Sequence, residues 1–430
     1  MTQHRFARIG LLLAAIGLGA VPALVQTAHA QDKKAIADAQ PETVRKDMAK
    51  LLDGKVLGPL LEAKKFGEVN AMLDQADAMP NKNGYEQYFI NRMRMATALG
   101  MDDKPNLIKY LEAVLASGRL DKAEQTKFTQ ALAGYYQEQK NYPKTIENLQ
   151  KYGELSGDAK VPRQIMAIRF ESGDYKGVQA DLLKKLDDGI KNNQPMSREE
   201  LHMLADASNR LKDKAHYLVA LEGLVRWHPR DSYWSDMLYR TRGKENYNNR
   251  FSADIVRLQK VATTKMEEQD YVELAELDQL EGQFVEGKAT LDAGIANGAV
   301  NQTAKIKKLK AELDRQAADD MKSIASTEAS ARKAKNGTGL VNLGYAYVTM
   351  GQYDKGIQLI QDGIAKGGLK NAEDAKLRLG YSYAMAGKKD EAIKILETVQ
   401  GADGRADMAR YWILWINRPY APTVGDDKQG

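Results

Sequence analysis

Leu343-Gly344-Tyr345-Ala346-Tyr347 followed by Gly351-Gln352-Tyr353 returns thirty-six residues later as Leu379-Gly380-Tyr381-Ser382-Tyr383 followed by Gly387-Lys388-Lys389. A period of that length is one helical hairpin per unit, stacked on its neighbours. Each unit buries its apolar face only against the next, so the two copies predict an all-α solenoid of antiparallel hairpins. Such an array offers an extended binding surface more readily than a catalytic pocket.

The unit can be followed outward by its turn, in which a small or polar residue ends one helix and an aromatic stands two places later. Glycine suits the first of these positions, because a helix C-terminus commonly needs a left-handed residue. The turn recurs as Lys140-Asn141-Tyr142, Gly173-Asp174-Tyr175, Gly282-Gln283-Phe284 and Gly351-Gln352-Tyr353. Their spacings of 33, 109 and 69 residues correspond to one, three and two units, so the gaps should hold degenerate copies. Ser197-Arg198-Glu199-Glu200 reads as a capping box opening a helix whose apolar face is Leu201, Leu204, Ala205 and Leu211. Lys305 to Leu313 and Ala317 to Lys335 read as a charged, alanine-rich helical pair, and Phe66, Val69 and Leu73 repeat the spacing of Tyr353, Gly356 and Ile360. The array is expected to begin near Pro41.

At the N-terminus, Arg5 and Arg8 precede an apolar run from Ile9 to Val25 and then Ala28-His29-Ala30, the pattern of a secretory signal peptide with its cleavage site. Gly17, Gly19 and Pro22 interrupt the run, which disfavours a retained anchor. The expected organisation is therefore a signal peptide over 1–30, a polar leader over 31–40 and degenerate repeats over 41–239. A loop or hinge over 240–254, clearer repeats with a capping helix over 255–416 and a disordered tail over 417–430 complete it. Export predicts a periplasmic or secreted protein without stable membrane insertion. The chain has no cysteine, so neither disulfides nor thiol chemistry can contribute. A net charge of +5 over 430 residues, with Arg5 and Arg8 in the signal peptide, gives no support to nucleic-acid binding.

The twin segments resemble the tetratricopeptide repeat family, whose units carry Leu-Gly-x-x-Tyr in the first helix and a small residue early in the second. Leu343, Gly344, Tyr347 and Gly356 fit one unit, Leu379, Gly380, Tyr383 and Ala392 the next, and Leu274, Ala275, Gly287 and Leu291 fit more loosely. The resemblance implies a right-handed superhelix whose first helices line a concave groove for an extended peptide or a partner's helix. It also implies a comparison with the members that grip a peptide's free carboxylate. Lys307, Asn342 and Arg378 fall on three of the gripping positions, while Ala311 and Asp374 stand at the other two, removing an amide donor and replacing a cation by an anion.

Tyr345 and Tyr381 occupy equivalent positions one unit apart, expected to face the groove, where paired rings can hold a peptide while offering hydroxyls. With Asn342 and Arg378 they form the expected peptide-binding set. The segment from Trp227 to Arg242 is rich in aromatic and basic residues, and its helical spacing reads as core packing more than as a sugar site. Trp412 and Trp415 fall where a terminal repeat needs its closing helix.

Beyond residue 30 the histidines are His202, His216 and His228, without ligand spacing, so no metal and no cofactor are expected. Neither a nucleophile elbow nor a phosphate-binding loop is present. The sequence thus points to an exported non-enzymatic adaptor or scaffold that binds a protein or peptide. A repeat-scaffolded enzyme or sugar-binding protein acting on cell wall or polysaccharide is the alternative. Self-association through the charged helices from Ala304 to Lys335 is a further possibility.

Overall fold

The computed structural model describes residues 43–420; the signal peptide, the leader, Pro41 and the last ten residues lie outside that range. The chain divides into two compact units, Met1–Asp174 and Tyr175–Gly430. Among the described residues both units are helical hairpins, and the chain is an all-α solenoid.

In the first unit the helices are α1 (Lys46–Ala49), α2 (Gly54–Glu62), α3 (Phe66–Asp77), α4 (Gly84–Gly100), α5 (Lys104–Ala116), α6 (Lys122–Glu138), α7 (Tyr142–Ser156) and α8 (Val161–Glu171). One continuous core of Leu57, Val69, Leu73, Ile90, Leu111 and Phe128 runs through α2 to α6, as expected when each hairpin buries its face on the next. A reciprocal capping box starts α4: Asn83 accepts from the Glu86 amide at 2.9 Å, and Glu86 accepts from the Asn83 amide at 2.9 Å.

The second unit holds α9 (Tyr175–Lys191), α10 (Arg198–Arg210), α11 (Lys214–Trp227), α12 (Asp231–Arg242), α13 (Ser252–Ala262), α14 (Glu268–Glu281) and α15 (Phe284–Ala296). It continues with α16 (Ala304–Lys333), α17 (Thr338–Thr349), α18 (Tyr353–Lys366), α19 (Ala372–Met385), α20 (Lys389–Leu396) and α21 (Arg405–Ile416). Turn chemistry sets the hairpins: Gly282, Gly351 and Gly387 all adopt φ near +75°, and Phe284 and Tyr353 open the helices that follow. The Leu-Gly-x-x-Tyr glycine serves a second need. A Cβ on Gly344 would stand 2.6 Å from the carbonyl oxygen of Gly356, and a Cβ on Gly356 2.5 Å from that of Gly344, so α17 and α18 meet backbone to backbone.

Three sequence expectations are corrected. The helical pair expected from Lys305 to Lys335 is one thirty-residue helix, α16, because Leu313-Asp314-Arg315-Gln316-Ala317 contains strong helix formers and no breaker. The stretch 240–254, expected to be a loop or hinge, contains the end of α12, a short loop, a 3-10 turn at Asn249–Phe251 and the start of α13. Its loop is pinned by Asn248, whose amide donates to the Asp403 carbonyl at 2.9 Å, and by Lys244 on Asp407. The capping box at Ser197 and Glu200 does open α10, and Leu201, Leu204 and Ala205 are buried; Leu211 stands just beyond the helix and is 39% exposed.

Candidate functional site

Helices α13, α14, α15 and α17 meet inside the second unit, and their polar side chains converge on one buried cation. Arg257, on α13, donates through Nη1 to Asp254 at 3.2 Å, through Nε to Glu286 at 3.1 Å and through Nη2 to Asp278 and to Glu281, the last at 3.2 Å. Its guanidinium also lies 5.2 Å from the centre of the Tyr345 ring, whose hydroxyl donates to Glu286 at 3.3 Å. One arginine thus ties α13, α14, α15 and α17 together. Burial alone would lower its pKa, but Glu286, Tyr345, Asp278 and Asp254 more than offset that and hold it well above the usual value.

The surrounding carboxylates outnumber the cation, and the imbalance appears in their acidity. Asp278 is fully buried, and that burial, with the charge of Glu286 beside it, pushes its carboxyl up to about 8 against the pull of Arg257. Its Oδ1 accepts from Arg257, while its Oδ2 has no hydrogen-bond partner among the described residues. Burial raises Glu281 as well, again opposed by Arg257. Sequence reasoning did not find this network. A signal was available: Asp278 follows Leu274 by the same four places that separate Tyr347 from Leu343, so an acid occupies the buried tyrosine position of the repeat.

An aromatic row continues from the charged centre. The rings of Tyr345 and Tyr381 meet edge to face at 5.3 Å, Tyr381 stacks on Trp412 at 5.6 Å, and Trp412 meets Trp415 edge to face at 5.4 Å. The Trp415 indole N–H donates to the Val261 carbonyl at 2.9 Å, which anchors the row to α13. Helix α21 supplies the tryptophans and does more than cap the last hairpin. Arg410 binds Glu222 of α11 with two bonds of 2.8 Å, and Tyr411 shares a 2.9 Å hydrogen bond with Thr241 of α12. The second unit therefore closes on itself, with α21 joining its early helices to its late ones.

This closure decides where the expected peptide-binding residues lie. Tyr345 is 2% exposed and Tyr381 3%, so both rings face the protein's own interior and not an open groove. Burial raises both hydroxyls well above the ordinary tyrosine pKa. Asn342 is exposed and Arg378 half-buried; Arg378 Nη1 donates to the Asn342 side-chain oxygen at 2.9 Å, and its guanidinium lies 5.4 Å from the Tyr345 ring centre. The structure thus brings all four together, two at the surface and two behind them. Lys307 and Ala311 are exposed on α16, and among the described residues neither bonds to Asn342 or Arg378. Asp374 pairs with Arg405 at 2.9 Å and with Arg250 at 3.4 Å.

Among the aromatic and basic residues from Trp227 to Arg242, Trp234 is fully buried and Tyr239 is 77% exposed. No group of residues suited to holding a metal ion occurs among the described residues, and no described helix is long and apolar enough to cross a membrane.

No curated protein matches the chain. Solved structures that match include Naa15/Naa10 bound to HypK-THB, at 11% identity over 87% of this chain and 56% of that one, with a TM-score of 0.23. This chain therefore spans little more than half the length of that relative. Yeast Tom70 matches at 12% identity over 86% of this chain and 96% of its own, with a TM-score of 0.23. A Rap protein complexed with competence and sporulation factor matches at 13% identity over 86% and 98%, with a TM-score of 0.20. In the sequence itself, residues 374–401, which run from α19 through α20, match the family model of the tetratricopeptide repeat.

Proposed function

We propose that the chain is an exported, non-enzymatic helical-repeat adaptor that binds a protein or peptide partner in the cell envelope. The observation that carries this reading is the Asn342–Arg378 pair. Two polar side chains from successive repeat helices, α17 and α19, reach the surface side by side with their hydrogen bond directed at each other. A peptide's carbonyl or carboxylate can take the place of Asn342 as acceptor from Arg378, and the freed amide can bond the peptide in turn. Tyr345 backs Arg378 with its ring face and is itself braced by Tyr381, so the tyrosines serve as supports that hold the arginine in place.

The polysaccharide-acting alternative would draw on Asp278 and Glu281, whose raised pKa values resemble those of catalytic acids. Both are engaged by Arg257, and Asp278 has no exposed surface to offer a polymer. The adaptor reading is therefore preferred. Export rests on the sequence of residues 1–30, and mass spectrometry of the protein recovered from cells tests it, with Gln31 expected as the first residue.

Partner binding is tested by cross-linking in envelope extract followed by quantitative mass spectrometry, comparing the native chain with an Asn342→Ala/Arg378→Ala variant. A partner recovered with the native chain should be depleted at least several-fold with the variant at unchanged thermal stability. Equal recovery of every cross-linked protein refutes the assignment.

A further inference from the structure

At the end of the second unit, where α19 and α21 finish and α20 begins, a cavity of about 290 Å³ opens to solvent. Its lining includes Ala384, Lys389, Trp415, Ile416, Arg418 and Tyr420. The volume accommodates one large side chain, and the lining gives it an apolar floor. Ala384 and Ile416 are buried, and the Trp415 ring is held in orientation by its bond to the Val261 carbonyl.

Two cations, Arg418 and Lys389, stand on this apolar slot. Arg418 lies over the Trp415 ring at 4.3 Å and donates through Nη1 to the Trp415 carbonyl; among the described residues no carboxylate pairs with it or with Lys389. Burial pushes the Arg418 pKa down, as expected for a guanidinium partly stripped of water. The contrast is local, since the neighbouring Lys388 is paired with Asp354 at 2.7 Å. A half-buried arginine on an aromatic face beside an apolar recess is the composition of a binding hot spot, and its missing complement is negative charge next to an apolar side chain.

We propose that this slot docks an acidic segment of a partner protein, one apolar side chain entering above Trp415 and Ile416 while flanking carboxylates pair with Arg418 and Lys389. The site rests on the protein-binding reading but not on the Asn342–Arg378 pair, and the residues that line it are different.

The test is a fluorescence-anisotropy titration of the full chain with a labelled, C-terminally amidated hexapeptide carrying one phenylalanine among glutamates. The native chain should bind it, and Arg418→Gln or Lys389→Gln should each weaken binding about ten-fold, equivalent to about 1.4 kcal/mol. A peptide with lysines in place of the glutamates should bind at least as weakly. Unfolding midpoints should stay unchanged, and cross-linking lost on Asn342→Ala/Arg378→Ala should persist in the slot variants. No binding to the native chain at millimolar peptide, equal affinity for acidic and basic peptides, or an unaltered Arg418→Gln variant overturns the proposal. Binding that appears only in a chain ending at Tyr420 assigns the slot to the chain's own last ten residues and likewise overturns the partner reading.

Discussion

Replacing Asp278 by Asn tests the charge arrangement at the centre of the second unit. A carboxyl held at about 8 in the folded chain against an ordinary 3.8 binds its proton more tightly folded than unfolded. At pH 4 it is largely protonated in the folded state, and little is lost. As pH rises toward 8 the unfolded chain ionises freely while the folded chain resists, so stability falls. Four pKa units correspond to a ceiling of about 5–6 kcal/mol at 1.36 kcal/mol each. Glu281 and Glu286 share the same cation, so a difference of about 2–3 kcal/mol between pH 5 and pH 8.5 is the working expectation. Asparagine cannot ionise, so the Asp278→Asn variant should lose this dependence and gain on the native chain as pH rises. All four tryptophans, Trp227, Trp234, Trp412 and Trp415, lie in the second unit, so urea unfolding followed by tryptophan fluorescence reports on that unit alone. Comparing the two proteins at each pH cancels the titrating groups that do not interact with Asp278, leaving its own ionisation and that of its coupled neighbour Glu281. If their stability difference stays constant within about 1 kcal/mol from pH 5 to pH 8.5, Asp278 is ionised throughout and the reasoning fails.

Arg257→Met leaves Asp254, Asp278, Glu281 and Glu286 without their shared cation, and should destabilise the second unit by about 3–5 kcal/mol, partly recovered at pH 5, by the same fluorescence measurement. Gly344→Ala forces a Cβ against the Gly356 carbonyl, a backbone atom that cannot swing aside, and should cost about 2–3 kcal/mol in urea unfolding. Gly380→Ala, which meets the side chain of Leu396, should cost less in the same assay. In the first unit Lys140 holds the left-handed turn position with φ of +56°, so Lys140→Gly should raise stability by about 0.5–1 kcal/mol, read by far-UV circular dichroism.

The hairpins were legible in the sequence because their signals are local. A left-handed glycine with an aromatic two places on fixes a turn wherever it occurs, and a Ser-x-x-Glu box fixes a helix start. The straight run of α16 was hidden because a period predicts a turn at a fixed distance, whereas the chain turns only where a residue breaks the helix. The setting of the four expected binding residues was hidden for a different reason. What covers Tyr345 and Tyr381 comes from α13 and α21, and contacts such as Thr241 to Tyr411, 170 residues apart, leave no trace in local spacing. Asp278 was the exception, an acid at a tyrosine position visible once the repeats are aligned.

The bond between Arg410 and Glu222 joins residues 188 positions apart, and it alters the order in which the second unit can form. An open row of repeats can assemble by adding each hairpin to the one before, with no step waiting on distant chain. Here α11, α12 and α13 acquire their last partners only when α21 is available. Helices α11 to α13 therefore remain incompletely packed until residues 405–416 have been synthesised, and loss of α21 should loosen them together with α19 and α20.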